Sequence, residues 1–404
     1  MKIVVIGGGV VGVTSAWYLT RDGHEVTVLE AREGVALETS FANAGGVCPG
    51  FAGPWAAPGM PLKAAGWMFK PSAPLKIRPR ASLSQWQWLA RFVANCTAAR
   101  FARNKAQMQR TAHFSKACLM QLREETGIAY DHGTGGVLQI FQTGEEAAGG
   151  RRAAAVLAKL DIPHRLLSPG EVLEVEPGLA CSDVPLAGGL RLTTDETGDC
   201  HLFTRALAGL IEQAGGRFRF RARVAGFRKS AGRIEAVRLE DGEEIAADAV
   251  VMATGPWIDL LRPLGIRLPV YPVKGYSMTA EIADTEAAPR SSVMDEHSKI
   301  MITRLGTRLR AAGVAELAGF DRSMPEPVLR SLRARVEQLF PGAARYDDAT
   351  FWHGFRPMTP SGPSLVQRTA FANLFLNLGH GSNGWTQAAG TGRMLSDLIA
   401  GHTR

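Results

Sequence analysis

The chain opens on an unbroken apolar run, Ile3-Val4-Val5-Ile6, which predicts a strand over residues 2–6 buried on both faces. From 10 to 21 the apolar positions recur at helical spacing, and 25–29 is a second short apolar strand, so the start of the chain predicts a βαβ unit. Glycine and proline then dominate from 43 to 61, and Pro71, Pro74 and Pro79 extend this irregular stretch. Residues 83–126 carry one continuous helical pattern, closed by Gly127 as a C-cap. The pattern turns to strands at 136–142 and 188–193, with helices expected over 145–159 and, behind a Ser168 cap, over 169–174. A helix is expected over 199–214. Strands follow at 217–220, 222–229, 234–239, 244–246 and 249–253, the last four as a hairpin array feeding a core strand. A second strand-rich block spans 271–280, 299–304 and 308–312, followed by a helix over 326–340, a strand over 374–378, a glycine turn and a helix over 386–400. The fold class is therefore α/β with α+β elements: a Rossmann-like parallel sheet plus a second domain on a mainly antiparallel sheet.

Composition narrows this picture modestly. With 404 residues, 46% apolar and 21% charged, the chain is globular and long enough for two domains. A net charge of +8 suits an anionic partner, although a solvated basic surface explains it equally well. The five cysteines are odd in number and scattered, with no C-x-x-C pair and no Cys/His grouping, so no metal site is expected and a reducing, cytoplasmic compartment is. No apolar run of about 18 residues occurs beyond the N-terminus. The opening itself could pass for a signal peptide, but Gly7, Gly8, Gly9 and Gly12 and the continuation Arg21-Asp22 argue against that.

The first motif with chemistry is Gly7-x-Gly9-x-x-Gly12. It follows a strand, opens a helix, and is followed by Glu30 at the end of the second strand. Gly7 permits the tight turn, Gly9 lets backbone N–H groups approach a pyrophosphate, Gly12 lets helix and strand pack closely, and Glu30 would accept from an adenosine ribose. Ala253-Thr254-Gly255 ends an apolar strand of the kind that returns to the cofactor in two-part FAD-binding domains. Gly379-His380-Gly381-Ser382-Asn383-Gly384-Trp385 is a further strand–turn–helix start. A helix N-terminus there could stabilise negative charge on a reduced isoalloxazine, which favours FAD over a nicotinamide.

These three elements, with Gly354-Phe355-Arg356-Pro357, resemble the FAD-dependent D-amino acid oxidase superfamily. Asn43-Ala44-Gly45, the run Pro54 to Gly59, Asp195 to Cys200, Tyr271 to Ser277 and Arg356 to Pro360 are similar to the bacterial D-amino acid dehydrogenase small-subunit family. The resemblance spans residues 1 to about 400. It implies that Arg356 forms a two-point ion pair with a substrate carboxylate, for which a planar guanidinium is suited. It implies that a backbone carbonyl at Ser382 or Gly381 accepts from the substrate amine, and that Tyr276 and Lys274 lie near the pocket, where a buried tyrosine with a satisfied hydroxyl is an equal account. His380 is expected to shape the cofactor site rather than act as a base. Cofactor contacts are further expected from Val10, Val11, Ala31, Arg32, Ser40, Val224 and Thr386. The family has tyrosine where this chain has Phe51 and Ser298, which bears on the substrate side chain.

The expected reaction is oxidative deamination of a D-amino acid to a 2-oxo acid and ammonia. Hydride would pass from Cα to flavin N5, and electrons onward to a quinone or other electron acceptor. The expected location is the cytoplasm, with peripheral contact at the inner face of the bacterial inner membrane, where a basic surface would help. The resemblance assigns 1–60, 195–268 and 341–404 to the FAD-binding domain, and 61–194 and 269–340, with its helical segment 83–127, to the substrate domain. Two other readings are carried. One is a secondary-amine oxidase of the sarcosine, proline or glycine type that uses O₂. The other is a flavin-containing nucleic-acid-binding protein, which the dispersal of Arg and Lys among acidic residues disfavours, so no nucleic-acid partner is expected. Trp55, Trp67, Trp86 and Trp88 are expected to be core residues rather than base-stacking platforms.

Overall fold

The computed structural model describes residues 1–67 and 74–402; Pro71 lies outside them. Two sheets organise the chain. The first has six strands in the order Leu365–Arg368, Leu374–Leu378, Ala249–Met252, Lys2–Ile6, Glu25–Leu29 and Arg217–Arg219, all parallel except the hairpin partner Leu365–Arg368. Lys2–Ile6 is central, as its run of β-branched residues requires, and Ile3, Val4, Val5 and Ile6 are all buried. On one face pack the helices Val10–Arg21, Ala98–Thr126, Cys200–Gln213 and Gly384–Ile399, and on the other the antiparallel array Val224–Ser230, Arg233–Leu239 and Glu244–Ala246. The expected hairpin array is thus the outer layer, and Ala249–Met252 the core strand it feeds.

The second sheet has nine strands, Thr350–Met358, Tyr271–Glu281, Arg308–Leu317, Ile300–Leu305, Ser292–Asp295, Val137–Phe141, Gly188–Leu192 and Arg165–Leu167 in that order, with Leu75–Ile77 beside Arg308–Leu317. Most of its pairings are antiparallel, and the helix Glu326–Leu339 packs its apolar side on it. Residues 350–358 correct the expected division of the chain. They lie inside the range assigned to the FAD-binding half, yet pair along nine residues with Tyr271–Glu281 of the second sheet. Phe351-Trp352-His353-Gly354-Phe355-Arg356-Pro357 lacks the alternation that announces a strand, which is why its sheet could not be read from its sequence.

Local signals fared better where a single residue decides. Ser168 and Glu171 form the reciprocal capping box, Gly127 ends its helix at φ +63, and Asp199 accepts from the N–H groups of His201 and Leu202 at 2.9 and 3.1 Å. The long pattern over 83–126 is instead two helices, Leu83–Asn95 and Ala98–Thr126, because Thr97 starts the second by accepting from Arg100 N–H. Of the four tryptophans expected in the core, only Trp88 is buried there, its Nε1 donating to the Met358 carbonyl at 2.8 Å; Trp86 is 53% exposed, and Trp55 and Trp67 line a cavity.

Candidate active site

The fingerprint glycines are required by contact. Gly7 has φ +111, and a Cβ there would stand 2.5 Å from the Ala253 carbonyl oxygen; a Cβ at Gly12 would stand 1.9 Å from the Gly7 oxygen. Gly9 caps Val10–Arg21 without a side-chain bond, no acidic residue occupies the first turn, and Val10 N–H donates to Ser40 Oγ at 3.1 Å. Glu30 receives Gly8 N–H at 2.7 Å on one oxygen and Arg32 N–H at 2.8 Å on the other, which fixes its carboxylate while leaving acceptor capacity on both.

From this end a cavity of about 1020 Å³ runs between the sheets to Arg356. Its wall includes Gly7, Gly9, Val10, Val11, Glu30, Ala31, Arg32, Ser40, Asn43, Ala44, Gly45, Val224, Ala253, Thr254 and Gly255. The third turn contributes His380, Gly381, Ser382, Asn383, Gly384, Trp385 and Thr386. Gly12 and Gly379 stand behind the wall as packing positions, the latter at φ +77 with Thr359 Cγ2 2.7 Å from where a Cβ would sit. The volume holds a dinucleotide and a small substrate together. An uncapped helix start, an oriented carboxylate beside it and the orphaned, buried Ser277 hydroxyl on the wall fit FAD.

At the far end Arg356 projects from Thr350–Met358. Its Nη1 donates to the carbonyls of Lys274 and Val314, each at 3.3 Å, and its guanidinium lies 5.9 Å from the Trp55 ring centroid. A Cβ on Gly275 would stand 2.3 Å from Nη1, so that glycine makes the room. No carboxylate among the described residues pairs with Arg356, and burial alone pulls its pKa down to about 10, still a cation at neutral pH. A cation drawn partly out of water without a counter-charge is costly, and an anion bound beside it removes that cost.

The other expected residues divide. Gly381, at φ +57, and Ser382 reach the wall on the turn Gly381–Asn383. Lys274 does not: it is fully buried, with its ammonium on Glu316 Oε2 at 3.0 Å, Asp321 Oδ2 at 3.1 Å and the Ser323 carbonyl at 3.0 Å. Tyr276 touches the cavity, but its hydroxyl donates to Glu316 Oε2 at 2.6 Å, which is the satisfied-hydroxyl arrangement. His380 is bonded through Nε2 to Thr391 Oγ1 at 3.0 Å, and burial lowers its pKa to about 4. Phe51 is on the wall and Ser298 is not, its hydroxyl being taken by Asp295.

Sequence reasoning missed Trp55 as a cavity residue, along with Trp257, Ser277, Val314 and Trp352. Ser277 stood in a motif already singled out; Val314 carried no signal, since its role depends on a backbone irregularity. Among the described residues no three His, Cys, Asp or Glu side chains gather as metal ligands.

Behind the loop Pro49–Phe51, Asp195 is 1% exposed, accepts only a 3.3 Å bond from Gly50 N–H, and is pushed up to about 7 by burial. A carboxyl raised in the folded state favours folding below its unfolded pKa of 3.8 and loses that contribution as pH rises through 7. Asp195→Asn should therefore raise the melting temperature, with a gain that grows between pH 4 and pH 8; an equal gain at both ends would contradict the assignment.

Residues 2–398 match the family described as FAD dependent oxidoreductase. Over 402 residues the chain is 50% identical to a D-amino acid dehydrogenase of Methylobacterium radiotolerans, covering 99% of this chain and 96% of that one. It is 52% identical over 402 residues to a D-amino acid dehydrogenase of Cereibacter sphaeroides, covering 99% and 92%. Among solved structures, the glycine oxidase of Geobacillus kaustophilus shares the fold, with a TM-score of 0.78 at 23% identity over 100% of this chain and 96% of that chain. A turn at Gly7 and Gly12 packed closely against backbone, an ordered carboxylate at the second strand and a cavity of dinucleotide size agree with that family match, and the chain belongs to the FAD dependent oxidoreductases, with FAD as its cofactor.

Proposed function

We propose that the chain oxidises D-amino acids to 2-oxo acids and ammonia and passes the electrons to a quinone-type acceptor. The observation that carries this reading is Arg356: a cation in the cavity wall, held by two carbonyls and by no carboxylate among the described residues, is built to receive one. The relatives named D-amino acid dehydrogenase support the stereochemistry and a dehydrogenase reaction.

In this reading the six-stranded sheet with its covering layers is the FAD-binding half, and the nine-stranded sheet carries the substrate. Backbone N–H groups at the start of Val10–Arg21 would hold the pyrophosphate, and Glu30 would accept from the ribose. Bound FAD supplies a two-electron acceptor for the hydride leaving Cα. Arg356 pins the carboxylate, and the carbonyl of Gly381 or Ser382 accepts from the amine, so that two points on the substrate fix the direction of its Cα–H bond. His380 stays neutral and committed to Thr391, so it holds the turn and takes no proton. The neutral amine releases its lone pair toward Cα, and water hydrolyses the imino acid.

The test is anaerobic stopped-flow reduction of the yellow holoprotein by paired D- and L-amino acids, sarcosine and proline. Loss of absorbance with D-amino acids is expected. Reduction by L-amino acids or secondary amines alone would replace this reading.

A peripheral contact with anionic lipid belongs to the same proposal. No helix among the described residues is long and apolar enough to cross a membrane. Between Glu38 and Glu124 the chain has no Asp or Glu and twelve Lys and Arg. On the helices Met60–Trp67 and Leu83–Asn95 in that stretch, Leu62 (82%), Leu83 (74%), Trp86 (53%) and Val93 (52%) are exposed, and Met60–Trp67 buries no residue at all. Arg78, Lys116 and Arg123 pair with Glu316 and Glu196 from elsewhere in the chain, and exposed apolar side chains in a stretch whose own charges are all positive match an anionic bilayer. The protein should co-sediment with vesicles containing phosphatidylglycerol, be released by high salt, and lose binding on joint Leu62→Asp and Trp86→Asp replacement. Equal binding to neutral phosphatidylcholine vesicles, or none to either, would refute the contact.

A further inference from the structure

The strand Arg308–Leu317 changes partner within its length. Residues 308–312 pair with Ile300–Leu305, whereas 315–317 pair with Leu75–Ile77. On its other side the ladder to Tyr271–Glu281 breaks at the same place: Lys274 stands opposite Glu316 and Tyr276 opposite Gly313, so Val314 and Ala315 together face Gly275. That is a β-bulge, and Val314 within it has φ +55, a conformation that a β-branched residue rarely adopts. Strain of this kind persists only where the surroundings over-determine it, and it gathers at functional sites.

The bulge aims the Val314 carbonyl at Arg356 Nη1, and the Lys274 carbonyl of the next strand meets the same nitrogen. Opposite it, Gly275 leaves the space the guanidinium fills. Nε and Nη2 make no hydrogen bond among the described residues.

One buried carboxylate ties down the strands around this socket. Glu316, 1% exposed, takes the Lys274 ammonium at 3.0 Å and the Tyr276 hydroxyl at 2.6 Å on Oε2, and Arg78 pairs with Oε1. Burial would push its pKa up, but the Tyr276 hydroxyl and Lys274 ammonium outweigh that and hold it below the ordinary value. The three strands 75–77, 271–281 and 308–317 are thereby fastened to one side chain that lies outside the cavity wall.

We propose that Glu316 is a positioning residue for substrate binding. It holds the strained bulge at Val314 so that two carbonyls fix one edge of Arg356 and leave the other edge to the substrate carboxylate. The inference rests on the reading of Arg356 as the carboxylate anchor.

The test uses the holoenzyme and the variants Glu316→Gln and Val314→Gly, singly and together. For each, KM and kcat are measured with a D-amino acid, the dissociation constant of propionate is read from its perturbation of the flavin spectrum, and FAD content and melting temperature are recorded. For Glu316→Gln, KM and the propionate constant should rise together by roughly tenfold to a hundredfold, as a misplacement of about 1 Å brings, with kcat and FAD content little changed. Val314→Gly should melt no lower than the parent and keep its propionate affinity, since glycine adopts positive φ without strain and presents the same carbonyl. The double variant Glu316→Gln/Val314→Gly should recover propionate affinity, because a relaxed bulge no longer depends on the carboxylate, and it keeps the proposal testable if Glu316→Gln alone does not fold. Unchanged propionate binding in folded Glu316→Gln overturns the proposal, as does a parallel fall in kcat and FAD content or a double variant that stays as weak as Glu316→Gln. Failure of the underlying reading shows separately, as unchanged propionate binding in Arg356→Ala.

Discussion

Replacing Arg356 by Ala should lower kcat/KM for D-amino acids by roughly 30- to 4,000-fold, the equivalent of about 2–5 kcal/mol for removing one partner of a buried charge pair. The lower bound applies if water enters the vacated space and solvates the substrate carboxylate. The upper bound applies if the carboxylate is left against Trp55 and two backbone carbonyls, which cannot donate to it. Arg356→Lys should recover only part of the loss, because an ammonium keeps the charge but not the planar fork. Steady-state kinetics with an artificial electron acceptor measure both. An Arg356→Ala enzyme with full FAD content and unaltered kcat/KM would remove the anchor from Arg356 altogether.

The second large effect concerns the cofactor. Gly12→Ala places a carbon 1.9 Å from the Gly7 carbonyl oxygen, and the obstacle is backbone at a turn already tight at φ +111. No rotamer change relieves that contact, so helix Val10–Arg21 must move away from Lys2–Ile6 and carry its N–H groups with it. The expected cost is about 1–3 kcal/mol of stability or more, as for other overpacked sites, with loss of bound FAD as the primary readout. The ratio of absorbance at 450 and 280 nm after purification reports this directly. Gly209→Ala is the control: it lies in Cys200–Gln213 with nothing within 4 Å of the added methyl, and should keep its colour and gain about 0.4–1 kcal/mol. A Gly12→Ala protein that purifies fully yellow would contradict the geometry.

How far the sequence could be read depended on how local each cause was. The fingerprint turn, the Ser168 capping box and the Gly127 cap are each decided by residues within a few positions of one another, and each was legible. The strand at 350–358 was not, since aromatic residues fall on both faces, Phe351 and Phe355 on one and Trp352 on the other, and erase alternation. Lys274 and Tyr276 were singled out from a motif near the pocket, yet their polar atoms are spent on Glu316 and Asp321, residues 40 to 47 positions away. Nothing in the spacing along the chain announces that partnership.

By itself, then, the sequence determined a βαβ opening and a dinucleotide turn, while Arg356 was singled out only through the family resemblance. The first two follow from steric demands and side-chain chemistry that operate over one turn or one residue. The tertiary structure alone decided that no carboxylate among the described residues pairs with Arg356, that a bulge at Val314 aims a carbonyl at it, and that Lys274 is withdrawn from the cavity. These depend on the register of strands brought together from distant parts of the chain, and a shift of one residue in that register would turn each side chain to the opposite face.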